Sequence, residues 1–220
     1  MEKEIAILMA DLTGYTAMTD VHGGASAARI VTKYMEIVNA ASSGTAVVNE
    51  RIGDQVVIVA DEPGDLIVTA RQIALRTYEE HHFLSIHAGM HFGPVFIQNN
   101  TLFGSTINVA SRIMNIASAG QVLCSGAFFS RVPAAHRLQF KNAGVHRLKN
   151  VMDEVELFEL LPDAKNTLLD VDPVCHMHVG SSKSSNFCEH EGRTYHFCSE
   201  RCMHLFQANP GRFLTSPADM

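Results

Sequence analysis

The sequence predicts an α+β domain followed by a small cysteine- and histidine-rich one. Three observations carry this. A six-residue apolar run, Ile5 to Ala10, ends abruptly at Asp11, the pattern of a fully buried strand. Short β-rich runs then alternate with stretches of helical period as far as Leu160. Four cysteines (Cys175, Cys188, Cys198, Cys202) and five histidines (His176, His178, His190, His196, His204) all follow Asp170.

Each element has its own warrant. After Ile5 to Ala10, the polar stretch Asp11-Leu12-Thr13-Gly14 reads as a turn. Ala28, Val31, Met35 and Val38 recur at helical spacing and predict a helix over Ala25 to Ala41. Ala46 to Val48 and Gln55 to Ala60 read as the arms of a hairpin, with Gly53 supplying the turn and Asp54 near its tip. Asp65 to Tyr78 reads as a helix with Asp65 as N-cap. Phe83 to Ile97 reads as a strand pair, or as one long strand bent at Gly93-Pro94. Thr106 to Ala117 is a third helix, closed by Gly120. Gln121 to Cys124, Leu138 to Phe140, Val145 to Leu148 and Val155 to Leu160 supply short strands. The order β-α-α-β-β-α-β-α-β suggests a sandwich with helices on one face of the sheet. Residues 162–170 are polar, show no period and read as a linker, which divides the chain into 1–161 and 171–220.

Charge and hydropathy narrow the function classes. At 46% hydrophobic and 18% charged, the 220 residues suit one ordinary core plus a small one. The net charge of -6 argues against a nucleic-acid or anionic-membrane binder, which would carry a basic stripe. No run approaches the roughly 18 to 20 apolar residues that span a bilayer, and no export signal is visible, so a cytoplasmic location is expected. Clustered cysteines in such a chain favour a metal site over disulfides.

Two carboxylates stand at strand ends. Asp11 follows one apolar strand and Asp54 precedes another, Val56 to Val59. If the strands are neighbours, both carboxylates emerge at one edge of the sheet. Carboxylates at close range resist joint ionisation unless a cation lies between them, and Mg²⁺ suits a few carboxylate oxygens plus phosphate. Taken singly, each is more often an ordinary turn residue. Asn108 and Arg112, four apart on a predicted helix, share a face that Asn115 continues. An amide and a guanidinium there suit a ribose and a charged phosphorus centre, although a solvated polar face has the same pattern. Lys149, at a strand end, is a candidate to reach a phosphate, although a lone lysine there is usually just solvated.

Four segments, in order, resemble the motifs of class III adenylyl and guanylyl cyclases over residues 4 to 161. They are Met9-Ala10-Asp11-Leu12-Thr13-Gly14-Tyr15-Thr16, Arg51-Ile52-Gly53-Asp54, Ile86 to Val95, and Phe103-Gly104-Ser105-Thr106-Ile107-Asn108-Val109-Ala110-Ser111-Arg112. The resemblance implies a ferredoxin-like, palm-type antiparallel sheet with helices. It implies that Asp11 and Asp54 hold two Mg²⁺ or Mn²⁺ ions, that Asn108 orients the ribose and that Arg112 stabilises the transition state. Lys149 would bind the triphosphate, with Asn150 standing where the family has glycine. It further implies ATP or GTP as substrate and a homodimer with two shared active sites, aspartates from one subunit and Asn and Arg from the other. The positions that read the base are Glu50 and Thr101, a mixed pair. Glu50 accepts hydrogen bonds and leans toward guanine, whereas family frequency leans toward ATP. These changes also feed an alternative, a degenerate regulatory domain. The glycine-rich acidic turn of diguanylate cyclases and the aromatic doublets of an RNA-binding sheet are both missing.

The C-terminal segment resembles the YHS family over about 171 to 214, through Asp172-Pro173-Val174-Cys175-His176-Met177, Tyr195-His196-Phe197-Cys198-Ser199-Glu200-Arg201-Cys202, Phe206, Pro210 and Phe213. His176 departs from the usual glycine. Ser199 can cap a helix running toward Gln207, with Cys202 one turn in. Cys198 and Cys202 have metal-ligand spacing, and Cys175 would be a third thiolate. The fourth ligand is expected to be Cys188, with His176, His178 and His190 as alternatives. Such a set suits Zn²⁺ or Cu⁺ and would stabilise a module with a thin core. Cys124 stands apart and reads as a buried strand residue.

Overall fold

The computed structural model describes residues 2–99, 101–162, 169–180 and 185–214. It opens with β1 (Glu2–Leu12), α1 (Tyr15–His22) and α2 (Gly24–Ala41). The hairpin β2 (Val47–Ile52) and β3 (Gln55–Ala60) follows, then α3 (Pro63–Glu79) and β4 (Ile86–Gln98). Next come β5 (Thr101–Phe103), α4 (Ser105–Ile116), β6 (Val122–Ser125) and the short helices α5 (Gly126–Phe129) and α6 (Ala134–Arg137). β7 (Phe140–His146) and β8 (Val155–Leu160) complete the sheet, whose order is β2-β3-β1-β4-β6-β8-β7 with β5 paired to β4. All pairs are antiparallel except β4 with β6, so the sheet is mixed.

Helices cover both faces of the sheet, not one as expected. β1 lies centrally between β3 and β4, with Leu8 opposite Ile58 on one side and Met90 on the other. Its residues Ala6, Leu8, Ala10 and Leu12 face a core shared with α2 and α3. Its residues Ile5, Ile7 and Met9 face the other way, against Ala110 and Met114 of α4. The reason was in the strand itself: a run apolar at every position needs cover on both sides. Gly89, opposite Met9, lets α4 approach closely. A Cβ there would collide with the backbone of Ala110 and Met114.

Other expectations are adjusted. α3 starts at Pro63, and Asp65 does not cap it. Its carboxylate instead accepts from the Thr45 backbone N–H and Oγ1, both at 2.8 Å. Phe83 to Ile97 contains one long strand, and the Pro94 carbonyl accepts from Thr106 Oγ1. Gly120 does not close α4, which ends at Ile116 with Ala117 as C-cap; the Gly120 N–H donates instead to the Ile86 carbonyl. Leu138 ends α6 instead of starting a strand. Val145 belongs to β7, while Leu148 lies beyond that strand's end.

The C-terminal part is built from small pieces. β9 (Asp170–Val171) pairs with β10 (His178–Val179), β11 (Phe187–His190) pairs with β12 (Arg193–His196), and α7 (Glu200–Ala208) follows. Ser199 caps α7 as expected, accepting from the Cys202 N–H. Most of the expected linker, 163–168, lies outside the described residues. The module packs on the α2/α3 side, where Val174, Cys175, Met177, Phe197, Cys202 and Phe206 join the core of the first domain. The Phe83 carbonyl accepts from the His178 N–H at 2.8 Å, Ser85 Oγ meets His178 Nε2 at 2.6 Å, and Leu84 bridges to Met177.

Candidate functional site

Register brings the two aspartates together. Ala10 lies opposite Val56, and Ile52 pairs with Gln55, which leaves Gly53-Asp54 as a two-residue turn beside Asp11. Gly53 has φ +67°, which favours glycine at the first turn position. Burial first, and then the hydrogen bond and charge of Asp11, push the Asp54 carboxyl up to about 7, against the pull of backbone N–H groups. Asp11 Oδ1 is buried and has no hydrogen-bond partner among the described residues, and the same holds for Tyr34 Oη. Burial raises the Tyr34 phenol, and the charges of both aspartates raise it further. A buried orphan oxygen beside a second carboxylate suits a hard divalent cation.

The chain after Asp11 is tightly held. Thr13 donates its N–H to the Ser85 carbonyl at 2.8 Å, and its Oγ1 lies 3.0 Å from His87 Nδ1. Gly14, with φ +82°, then opens α1. Any Cβ at Gly14 would run into the side chain of His176.

The other expected residues lie elsewhere. On α4, Thr106, Val109, Ala110, Ile113 and Met114 are buried, so Asn108 and Asn115 are exposed and Arg112 is half-buried on the remaining face. Among the described residues, no hydrogen bond or ion pair joins Asn108 or Arg112 to Asp11 or Asp54. Lys149 is exposed in the turn after Leu148, and Asn150 holds φ +62°. Asparagine tolerates that left-handed conformation, so the turn survives without glycine. Glu50 is on the edge strand β2 and Thr101 on β5, with β3, β1 and β4 between them. One chain does not bring them together.

A second constellation lies where the two domains meet. Cys198 Sγ is 3.4 Å from Cys175 Sγ and 3.6 Å from Cys202 Sγ. His22 Nε2 completes the group, 3.4 Å from Cys198 Sγ and 3.6 Å from Cys202 Sγ. Donor atoms of all four lie within 4.8 Å of one another. Tetrahedral zinc with thiolates at about 2.3 Å would set sulfurs roughly 3.8 Å apart, so the donor set fits such an ion. The three expected cysteines are thus together, but Cys188 is a correction: it lies on β11 opposite Tyr195, outside the group. The alternatives are also elsewhere. His178 meets Ser85, His176 abuts Gly14, and His190 packs on Phe206.

Asp172 builds the cysteine cluster. It is fully buried, and its Oδ1 accepts from the N–H groups of Val174 (2.8 Å) and Cys175 (3.4 Å), while Oδ2 accepts from Cys198 (2.8 Å). One carboxylate thereby ties the first cysteine loop to the second. Hydrogen bonds from Cys175 and Cys198 pull the Cys202 thiol down to about 5. His176 has φ +62°, the left-handed conformation that explains a usual glycine there. Cys124 is buried on β6, and burial pushes its thiol up. His22 had no metal-motif spacing to reveal it. It sits in the last turn of α1, where a histidine is commonly just a favourable basic residue.

A family model described as the YHS domain matches residues 171–216. A pH-sensitive adenylate cyclase of Mycobacterium tuberculosis is 25% identical over 168 residues, 75% of this chain and 42% of that protein. An adenylate cyclase of Streptomyces coelicolor is 32% identical over 136 residues, 58% of this chain and 34% of that protein. The chain therefore spans less than half the length of these relatives. The crystal structure of the adenylyl cyclase CyaB from P. aeruginosa superposes with a TM-score of 0.63 at 15% identity, covering 76% of this chain and 98% of that one. The first domain thus has the fold of nucleotide cyclase catalytic domains.

Proposed function

We propose that this chain, a cyclase catalytic fold joined to a YHS domain, is a nucleotide cyclase that converts ATP or GTP to the 3′,5′-cyclic nucleotide and pyrophosphate. The single observation that carries the reading is the paired Asp11 and Asp54, half-buried, with one carboxylate oxygen left without a partner. Asp11 and Asp54 would hold two Mg²⁺ or Mn²⁺ ions. When bound, such ions supply positive charge to the attacking 3′-hydroxyl and to the triphosphate.

The remaining chemistry belongs to side chains. Asn108 orients the ribose. Arg112 faces the negative charge that builds at the α-phosphorus during in-line attack. Lys149 grips the outgoing pyrophosphate, and Glu50 and Thr101 meet the base. The outward face of α4 favours a homodimer in which each site takes aspartates from one subunit and Asn108 and Arg112 from its twin. The C-terminal domain acts as a metal-binding regulator, and its reduced thiols suit the cytoplasm.

The test is a purified-protein assay for cyclic nucleotide and pyrophosphate with Mn-ATP and Mn-GTP, run beside Asp54→Ala. Turnover of one triphosphate that vanishes in the variant supports the reading and identifies the base. Absence of turnover with both in the native dimer overturns it in favour of a degenerate regulatory domain.

A further inference from the structure

His22, Cys175, Cys198 and Cys202 come from four different pieces of chain. Cys175 lies between β9 and β10, Cys198 after β12, Cys202 in the first turn of α7, and His22 in the last turn of α1. Three belong to the YHS domain, and the fourth belongs to the cyclase fold. A histidine at a domain junction usually finds a carbonyl or carboxylate, whereas this one faces two thiols, at 3.4 and 3.6 Å.

We propose that these four side chains form one site for a thiolate-binding closed-shell cation, Zn²⁺ or Cu⁺, and that the bound ion staples the YHS domain to helix α1. Both ions take thiolate with imidazole. Binding requires the thiols in their anionic form and so releases up to three protons, leaving a neutral imidazole as the fourth donor. Cys175 and Cys202 are buried, which excludes water from one side of the ion. On the other side, His22 and Cys198 line a cavity of about 400 Å³ together with His81, His82 and Lys33, which provides the entry path.

The ion has mechanical consequences at both ends of α1. His22 is held directly. Gly14, at the opposite end, is covered by His176, the residue next to Cys175. The eight residues of this helix span about 12 Å between the two contacts. Fixing both ends fixes the Thr13-Gly14 turn that joins it to Asp11 and Leu12 at the end of β1. Occupancy at the domain junction therefore sets the order of the turn that follows the strand end carrying Asp11. This inference concerns binding and local order, so it stands or falls independently of turnover.

The experiment uses the full chain, reduced and stripped of metal. Zn²⁺ and Cu⁺ are each titrated against a competing chromophoric chelator. Co²⁺ is then used as a spectroscopic stand-in for four-coordinate thiolate ligation. Hydrogen exchange over residues 12–22 is followed with and without metal. One ion per chain is expected, with slower exchange over 12–22 on binding. His22→Ala should weaken binding at least about tenfold, since even groups that merely orient a ligand are worth that much. His22→Cys should restore tight binding with a stronger sulfur-to-cobalt band, which guards against simple misfolding of the alanine variant. Cys188→Ser should bind as the wild type does. Tight capture of either ion in this pattern supports the site. Capture of neither ion, unchanged affinity in His22→Ala, loss of binding in Cys188→Ser, or unchanged exchange over 12–22 on saturation overturns it.

Discussion

At the scale of single residues, burial decides which groups carry charge. His91 on β4 is the clearest case. Burial pulls its imidazole down from the usual 6.5 to about 4, and its Nδ1 lies 2.6 Å from Ser125 Oγ. The folded state thus favours the neutral ring. A group whose pKa falls on folding contributes stability above its unfolded value and loses it as pH drops toward the folded one. Stability to urea should decline between pH 6.5 and about 4, and His91→Asn should flatten that slope. Matched denaturation curves across this range check it, and an unchanged slope would remove His91 as the cause. The same logic distinguishes Asp54 from an ordinary turn residue. Its raised carboxyl and its neighbour's unpartnered oxygen are costs that a bound cation would offset.

At the scale of elements, close approach matters more than propensity. α4 crosses β4 where Gly89 leaves no side chain between strand and helix. Gly89→Ala should therefore cost about 1–3 kcal/mol through overpacking against backbone that cannot move aside. Thermal or urea unfolding measures it, and a loss of less than a few tenths would mean that α4 is not held as described. α4 also carries Asn108 and Arg112 on its outer face, so a shift of this helix would move both together. α1 shows the opposite balance. It buries only Met18 and Val21, has glycine at both ends and lacks a side-chain cap. Such a helix depends on what its ends touch.

At the scale of the whole molecule, the proposed site needs two chains, because no hydrogen bond or ion pair among the described residues joins Asn108 or Arg112 to Asp11 or Asp54. If each site takes its aspartates from one subunit and Arg112 from the other, then two defective chains can share one intact site. Asp54→Ala and Arg112→Ala homodimers should each be nearly inactive, the latter by roughly 10²- to 10³-fold. An equal mixture, unfolded and refolded together, should recover about a quarter of native activity, because half the dimers are mixed and each holds one sound site of two. No recovery in a mixture shown to exchange subunits would mean that the site lies within one chain. The YHS domain packs on the α2/α3 side and leaves Asn108 and Asn115 on α4 exposed.

Much of this was readable in the amino-acid order, because it rests on local patterns. The gapless apolar run of β1 marks a central strand, Gly53 and Asp54 mark a hairpin tip, and Ser199 marks a helix start. Asp11, Asp54, Asn108 and Arg112 stand out through the ordered motifs that resemble those of class III cyclases, and Cys175, Cys198 and Cys202 through clustering. What the order of residues left open was everything set by contacts between distant segments. β1 called for cover on both faces, but only packing showed that α4 supplies one of them. Cys188 has the same local credentials as its neighbours, yet the β11–β12 hairpin carries it away from the cluster. His22 has none of those credentials, yet docking of the second domain places its ring against two thiols. Periodicity and spacing report on a residue's own helix or strand; which surfaces then meet depends on how whole elements fit, and that is a property of the folded chain.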